Sequence, residues 1–109
     1  MSRKKGDIAE EKATAFLIEN GFRIVERNFY SRFGEIDIIA SKGAVLHFVE
    51  VKSGQEYEVA IQNITPTKLS RFTKTLYVYL KKSSLDIDFC IDAIIVTPDT
   101  IELVENITI

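Results

Sequence analysis

Two stretches of sequence decide the fold: GEIDIIA at residues 34–40 and FVEVK at residues 48–52. Both are rich in β-branched and aliphatic residues, which is typical of buried β-strands. They nevertheless contain three ionisable side chains, Asp37, Glu50 and Lys52. Because an unpaired charge removed from water costs several kcal/mol, these three groups require partners or a bound ion.

A divalent cation would resolve the conflict between the two carboxylates. At a separation of about 4 Å they repel each other by roughly 4 kcal/mol at an effective dielectric constant of about 20. Mg²⁺ prefers carboxylate and carbonyl oxygens together with water. We therefore predict a metal centre with an attendant lysine. The alternative is a strand-end Asp37 beside an exposed Glu50–Lys52 ion pair, which contributes about 0–1 kcal/mol. Leu46 and Phe48, on the same strand face as that pair, favour the metal centre.

The metal centre requires a particular strand register. A short turn at residues 41–43 would join the two strands as an antiparallel hairpin. Glu50 and Lys52 are two positions apart and share one face. Asp37 joins that face only if the numbers of paired residues add to an odd sum, as when residue 40 pairs with residue 45. That pairing places Asp37 opposite Phe48 and diagonal to Glu50, whereas an even sum sends Asp37 to the other face.

The same residues resemble the PD-(D/E)xK nuclease signature in the form carried by the YraN-like family. That family is related to the archaeal Holliday-junction resolvases and has the restriction-endonuclease-like fold. The resemblance covers most of the chain, in this order: the helix Gly6-x-x-x-Glu10-x-x-Ala13, Gly21, Arg27-Asn28, the two strand motifs, residues 65–68, and a late strand with Asp92. The chain departs from the family pattern at Gly54 and at Cys90, where the family usually has basic residues.

The resemblance implies a set of catalytic and metal-binding residues. Asp37, Glu50 and the carbonyl of Val51 are expected to hold Mg²⁺ or Mn²⁺, with Glu10 as an outer or additional ligand. Lys52 is expected to position the attacking water or to stabilise developing negative charge. From helical phase alone, Glu10 borders the buried stripe of its helix and is as consistent with a surface acid as with a site residue.

The implied function is metal-dependent hydrolysis of DNA phosphodiester bonds, with branched or junction-like DNA as the expected substrate. A homodimer is expected by analogy with the resolvases alone. One alternative is a nucleic-acid-binding or adaptor module that keeps the nuclease fold without cleaving. A protein-interaction domain is a third reading, and no motif supports it. Divalent-ion binding distinguishes the enzyme from the adaptor, and DNA binding distinguishes both from the interaction domain.

Charge is distributed unevenly along the chain. The net charge is −2, but residues 59–85 contain no acid and carry +5, whereas residues 86–109 contain no Lys or Arg and carry −6. Lys68, Arg71 and Lys74 are therefore the expected nucleic-acid contacts. The alternative explanation of this acid-free, basic stretch is a helix face that is simply exposed to solvent.

Length and composition predict one domain over residues 1–109, with 46% hydrophobic and 28% charged residues, as in soluble globular proteins. No apolar run is long enough for a membrane span, and no stretch resembles a signal peptide. The single cysteine, Cys90, rules out an intramolecular disulfide and fits a reducing cytoplasm. We expect Cys90 to be a small core residue, His47 a core or surface histidine, and Asp92 a structural residue.

Periodicity and capping signals predict the elements. A helix should span residues 7–20 and end at Gly21 in the left-handed conformation. Thr65 and Pro66 should begin a second helix, as N-cap and first helical residue. The predicted order is α-β-β-β-α-β-β, an α/β fold with a central mixed sheet flanked by helices; its restriction-endonuclease-like form comes from the resemblance. The remaining predictions are strands over 22–29, 35–40, 45–52, 89–96 and 101–104, an irregular loop over 53–63, and a helix over 66–82.

Overall fold

Three helices and five strands make up most of residues 5–107, the part of the chain that the computed structural model describes. In that part, no helix is long and apolar enough to cross a membrane. The elements, in chain order, are α1 (Lys5–Glu19), β1 (Arg23–Ser31), β2 (Gly34–Lys42), β3 (Val45–Ser53), α2 (Tyr57–Ile61), α3 (Pro66–Lys82), β4 (Asp88–Val96) and β5 (Ile101–Val104).

The five strands form one sheet in the order β1-β2-β3-β4-β5. The β3–β4 pair is parallel, and the other three pairs are antiparallel. A parallel pair needs a crossover connection, and α2 and α3 supply it here. The structure therefore confirms the predicted mixed α/β sheet with flanking helices, and it is consistent with a restriction-endonuclease-like fold.

Helix α1 covers one face of the sheet through the predicted apolar stripe. Ala9, Ala13 and Leu17 are buried against residues of the central strands, among them Val49 and Ile94. The helix ends where expected, because Gly21 adopts φ +87°, a conformation that a residue with a Cβ rarely takes. This packing places the start of α1 beside the ends of the motif strands.

Helix α3 covers the opposite face. The Thr65 hydroxyl accepts a hydrogen bond from the Lys68 N–H at 3.3 Å, and Pro66 is the first helical residue, as predicted. The residues that α3 buries are Phe72, Thr75, Leu76 and Tyr79. Its basic residues lie on its other side and towards its ends, so the helix packs inward and presents positive charge outward.

The register of the β2–β3 hairpin differs from the predicted one by two residues. Residue 40 pairs with residue 47, not with residue 45, and the loop is the two-residue Gly43-Ala44 between Lys42 and Val45. The cause is the turn: Gly43 adopts φ +60° at the first loop position, where two-residue type II′ hairpin turns require glycine. The sum of paired residue numbers remains odd, which is the condition that the metal centre requires.

The segment predicted as an irregular loop over residues 53–63 contains the short helix α2. Ala60 is fully buried in a cluster with Ala93 and Ile95, and Tyr57, Ile61 and Ile64 pack against it. Tyr57, Ala60, Ile61 and Ile64 recur at three- and four-residue spacing, which is typical of the buried side of a helix. The prediction of an irregular loop missed this pattern. A Cβ added at Gly54 would lie 3.2 Å from the Ala60 Cβ, so the glycine fits this close approach.

Candidate metal centre

The candidate site lies where β2 and β3 stop pairing. The last pair of their ladder on this side is Ile38 with Val49. Just beyond it, the Asp37 carboxylate accepts a hydrogen bond from the Val51 N–H at 2.8 Å. The side chain of Asp37 thus bridges the two strands at the point where their ladder ends. With the observed register, Asp37 is level with Glu50 and not with Phe48.

Strands β1 and β2 are locally irregular around Asp37. Ile36 and Ile39 both pack beneath α3, while Ile38 packs beneath α1, so the side-chain alternation of β2 breaks around Asp37. Asn28 lies directly opposite that break and adopts the left-handed φ of +55°. Asparagine tolerates this conformation better than most residues.

Two β1 side chains then hold Glu10 in position. The Asn28 Nδ2 donates a hydrogen bond to Glu10 Oε1 at 2.8 Å, and the Arg27 guanidinium lies 3.7 Å from the same oxygen. The Arg27-Asn28 pair therefore fixes the α1 carboxylate at the site.

Glu50 and Lys52 come from the end of β3. The Lys52 Nζ lies 3.2 Å from Glu50 Oε1, and both side chains are largely buried. Strand alternation explains why they share a face. The lysine is therefore held beside the carboxylate and not extended into solvent.

These residues line one cleft of about 420 Å³ between the start of α1 and the start of α3. The cleft contains Glu10, Asp37, Glu50 and Lys52, together with Lys68 and Arg71 of α3. Lys74 does not line it; the Lys74 Nζ lies 5.6 Å from the centre of the Phe33 ring at the cleft wall. The structure thus brings together six of the predicted side chains and places the seventh one helical turn away.

Burial changes the acidity of both central carboxyl groups. The pKa of Asp37 rises from 3.8 to about 8, first because the group is buried and then because of the negative charge of Glu50. The Val51 N–H opposes this rise. Burial also raises the pKa of Glu50, while the Lys52 ammonium works in the opposite direction. Two adjacent carboxyl groups that both have raised pKa values are typical of a site that binds a cation.

Glu35 is a site residue that the strand pattern alone did not single out. Carboxylate oxygens of Glu10, Glu35 and Asp37 all lie within 4.8 Å of one another. Glu35 also lines the cleft. Its signal was present in the sequence, since Glu35 precedes Asp37 by two residues on the same strand.

The donor set fits a hard divalent cation such as Mg²⁺, which prefers oxygen ligands. The three clustered carboxylates, with Glu50 opposite Asp37, provide those oxygens in a cleft large enough to keep water molecules on the ion. For Val51, the contact present at the site is its N–H to Asp37; coordination by its carbonyl stays a prediction.

Comparison with known proteins places this arrangement in a family. Residues 9–96 match the model of the uncharacterised protein family UPF0102. A UPF0102 protein of Sulfurimonas denitrificans is 62% identical over 109 residues, covering all of both chains. A UPF0102 protein of Aliarcobacter butzleri is 54% identical over 99% of both chains, and one of Helicobacter pylori is 56% identical over 97% of this chain and 92% of its own. The chain therefore belongs to the UPF0102 family.

Proposed function

We propose that this protein is a divalent-metal-dependent endonuclease that hydrolyses DNA phosphodiester bonds, with branched DNA as its substrate class. One observation carries the proposal. The buried Asp37 carboxyl and the partly buried Glu50 carboxyl meet at the end of a strand pair, with Lys52 3.2 Å from Glu50, in a cleft with a cationic wall. The resemblance to the PD-(D/E)xK signature at the same residues supports the reaction class.

In this proposal, Asp37, Glu50 and the Val51 carbonyl hold Mg²⁺ or Mn²⁺. When bound, the ion lowers the pKa of a coordinated water and neutralises charge on the scissile phosphate. Glu10, held by Asn28 and Arg27, orients water at the edge of the site. The Lys52 ammonium stabilises negative charge that develops on the phosphate oxygens.

The α3 cations are proposed to hold neighbouring phosphates. Lys68 and Arg71 line the cleft, so a backbone that enters it meets them. Lys74 is proposed to extend this contact beyond Phe33. The net charge of −2 makes the rest of the molecule repel DNA at long range, so the affinity is expected to be modest and strongly dependent on salt.

Metal binding is expected to stabilise the fold. An ion present at about a hundred times its dissociation constant adds about 2.7 kcal/mol, which raises the melting temperature of a domain of this size by about 10 °C or more. Glu50→Gln removes one ligand charge and is expected to abolish most of that rise. Thermal denaturation with and without Mg²⁺ or Mn²⁺ measures it.

The matched control is Glu102→Gln, which changes the same charge on the exposed face of β5. It should keep the full metal-induced rise. An equal rise in wild type and Glu50→Gln would contradict a carboxylate metal centre.

DNA binding is expected to depend on the cleft side of α3. Replacing Lys68 and Arg71 by glutamine should weaken binding of a four-way junction and reduce the slope of log affinity against log salt by about two, since each lost duplex phosphate contact removes about 0.9. Lys81→Gln/Lys82→Gln makes the same change in net charge at the far end of the helix and should have a smaller effect. Equal losses in both variants would show that only overall charge matters.

Thermal denaturation with added metal and a cleavage assay on the bound junction separate the endonuclease from an adaptor that binds DNA without cleaving it. The endonuclease requires both the metal-induced stabilisation and cleavage of the bound junction. An adaptor binds the junction without either. Failure of wild type to bind any DNA structure at low salt would reject both functions.

A further inference from the structure

A second group of metal-binding side chains lies on the other face of the sheet. The parallel register pairs His47 of β3 with Cys90 of β4, and Asp92 follows two residues later on the same face. The His47 Nδ1 lies 2.6 Å from Asp92 Oδ2 and 3.0 Å from Cys90 Sγ. The Cys90 Sγ lies 3.4 Å from Asp92 Oδ1. Three different ligand types therefore converge on one point.

The surroundings of the cluster hold its two inner members in place. His47 is buried, with its ring 4.9 Å from the ring of Phe22 in an edge-to-face contact. Asp92 is fully buried, and its Oδ1 accepts the Asn106 N–H at 2.9 Å. The structure thus places His47 in the core, and Asp92 tethers the segment after β5 through the Asn106 N–H.

Cys90 differs from its prediction as a core residue, because it is only partly buried. The physical reason is that β5 pairs only with residues 93–96 of β4 and the described segment after β5 reaches back only to the Ile91 carbonyl, so Cys90 lies beyond that cover. Cys90 is therefore the member of the cluster that is partly exposed to solvent.

The geometry is not that of a catalytic triad. In a Cys-His-Asp relay the histidine uses one ring nitrogen for the acid and the other for the nucleophile. Here both Asp92 and Cys90 contact the same Nδ1. Burial and the charge of Asp92 also raise the pKa of the Cys90 thiol to about 12, which disfavours the nucleophilic thiolate.

We propose that His47 Nδ1, Cys90 Sγ and a carboxylate oxygen of Asp92 bind a Zn²⁺ ion, with a fourth position open to water. Imidazole and thiolate are ligands that Zn²⁺ prefers, whereas the carboxylate ligands of the cleft on the other face suit Mg²⁺. The two faces of the sheet therefore carry sites of different ligand chemistry.

The required movement is small. Tetrahedral Zn²⁺ with bonds of about 2.0–2.3 Å separates its ligand atoms by about 3.3–3.7 Å. The His47 Nδ1 lies 2.6 Å from Asp92 Oδ2 and 3.0 Å from Cys90 Sγ, and the Cys90 Sγ lies 3.4 Å from the other oxygen, Asp92 Oδ1. The His47 Nδ1 therefore needs to move away from its two neighbours by less than about 1 Å. The ion replaces the hydrogen bond between His47 and Asp92 Oδ2 and displaces the proton of the Cys90 thiol to solvent, while Asp92 Oδ1 keeps the Asn106 N–H. It thereby joins β3, β4 and the segment after β5.

The test uses Co²⁺ as a spectroscopic substitute for Zn²⁺ in the Asp37→Asn/Glu50→Gln background, which removes the two central carboxylates of the other cleft. We expect a thiolate-to-cobalt charge-transfer band that saturates at one ion per chain and is displaced by Zn²⁺. Cys90→Ser should abolish the band, and His47→Gln should weaken Co²⁺ binding at least about tenfold, as loss of a ligand does.

A second measurement needs no variant. Cys90 is the only cysteine, so the reaction of the wild-type chain with a thiol reagent reports this site alone. Zn²⁺ should slow that reaction at least about tenfold, because a bound thiolate is protected, while Mg²⁺ should not. Absence of the cobalt band, its persistence at unchanged affinity in His47→Gln, or unchanged thiol reactivity in saturating Zn²⁺ would overturn the proposal.

Discussion

Lys52→Ala is expected to lower the rate of junction cleavage about a hundredfold or more at saturating DNA, which is the usual effect of removing one preorganised electrostatic group. The Lys52 Nζ lies 3.2 Å from Glu50 in the cleft, so its charge acts at the proposed reaction centre. Lys68 and Arg71 remain in the variant, and DNA affinity should therefore change by no more than a few-fold. Single-turnover cleavage and a binding titration measure the two effects separately.

Lys42→Ala is the matched control for that experiment. Lys42 is at the other end of β2, with its Nζ 4.9 Å from the centre of the Phe22 ring, outside the cleft. Its removal should leave cleavage unchanged. If Lys52→Ala cleaves as fast as wild type, the lysine serves only as the ion-pair partner of Glu50.

Asp37→Asn is expected to stabilise the metal-free protein at neutral pH and to flatten its pH dependence. The folded-state pKa of Asp37 is about 8, against 3.8 in the unfolded chain, so the folded protein binds the proton more tightly. The resulting stability is complete below about pH 4 and is lost as the pH rises towards 8, by at most about 1.4 kcal/mol per pH unit. Asparagine keeps an oxygen for the Val51 N–H but carries no charge.

Denaturant unfolding at several pH values between 4 and 8, in the presence of a chelator, measures this slope. Glu26→Gln on the exposed side of β1 controls for the change in net charge and should keep the wild-type slope. With Mg²⁺ added, wild type should regain stability at neutral pH and Asp37→Asn should not. Parallel pH profiles for wild type and Asp37→Asn would contradict the raised pKa.

Most of the architecture could be predicted because its signals are local. The Thr65-Pro66 start of α3, the Gly21 end of α1 and the apolar runs of β3 and β4 each depend on a few neighbouring residues. Strand alternation likewise places Glu50 and Lys52 on one face from their spacing alone. The convergence of these residues with Asp37 followed from one condition, the odd register.

The misses have physical causes that the sequence shows only weakly. Helix α2 is five residues long, too short for periodicity to outweigh the polar residues before it. The hairpin register depends on whether Gly43 takes the first or a later position in the turn. Glu35 was passed over although it lies two residues before Asp37 on the same strand, where strict alternation places both on one face.

The His47-Cys90-Asp92 cluster had no local signal at all. His47 lies far from the other two members on the chain, with sequence separations of 43 to Cys90 and 45 to Asp92. They meet only because β4 pairs in parallel with β3 in one register. Predicting this cluster requires knowing which β3 residue pairs with which β4 residue, and the order of helices and strands does not give that pairing.

The crossover that makes β3 and β4 parallel also has a consequence for the order of folding. The β2–β3 hairpin closes a two-residue loop, whereas pairing of β3 with β4 closes the whole segment through α2 and α3. Short loops close far faster than long ones. We therefore expect the hairpin to bring Asp37 and Glu50 together early in folding, when water still surrounds both carboxylates and screens their repulsion. Their burial, and with it the electrostatic conflict, comes only when α3 docks and the parallel strand is added.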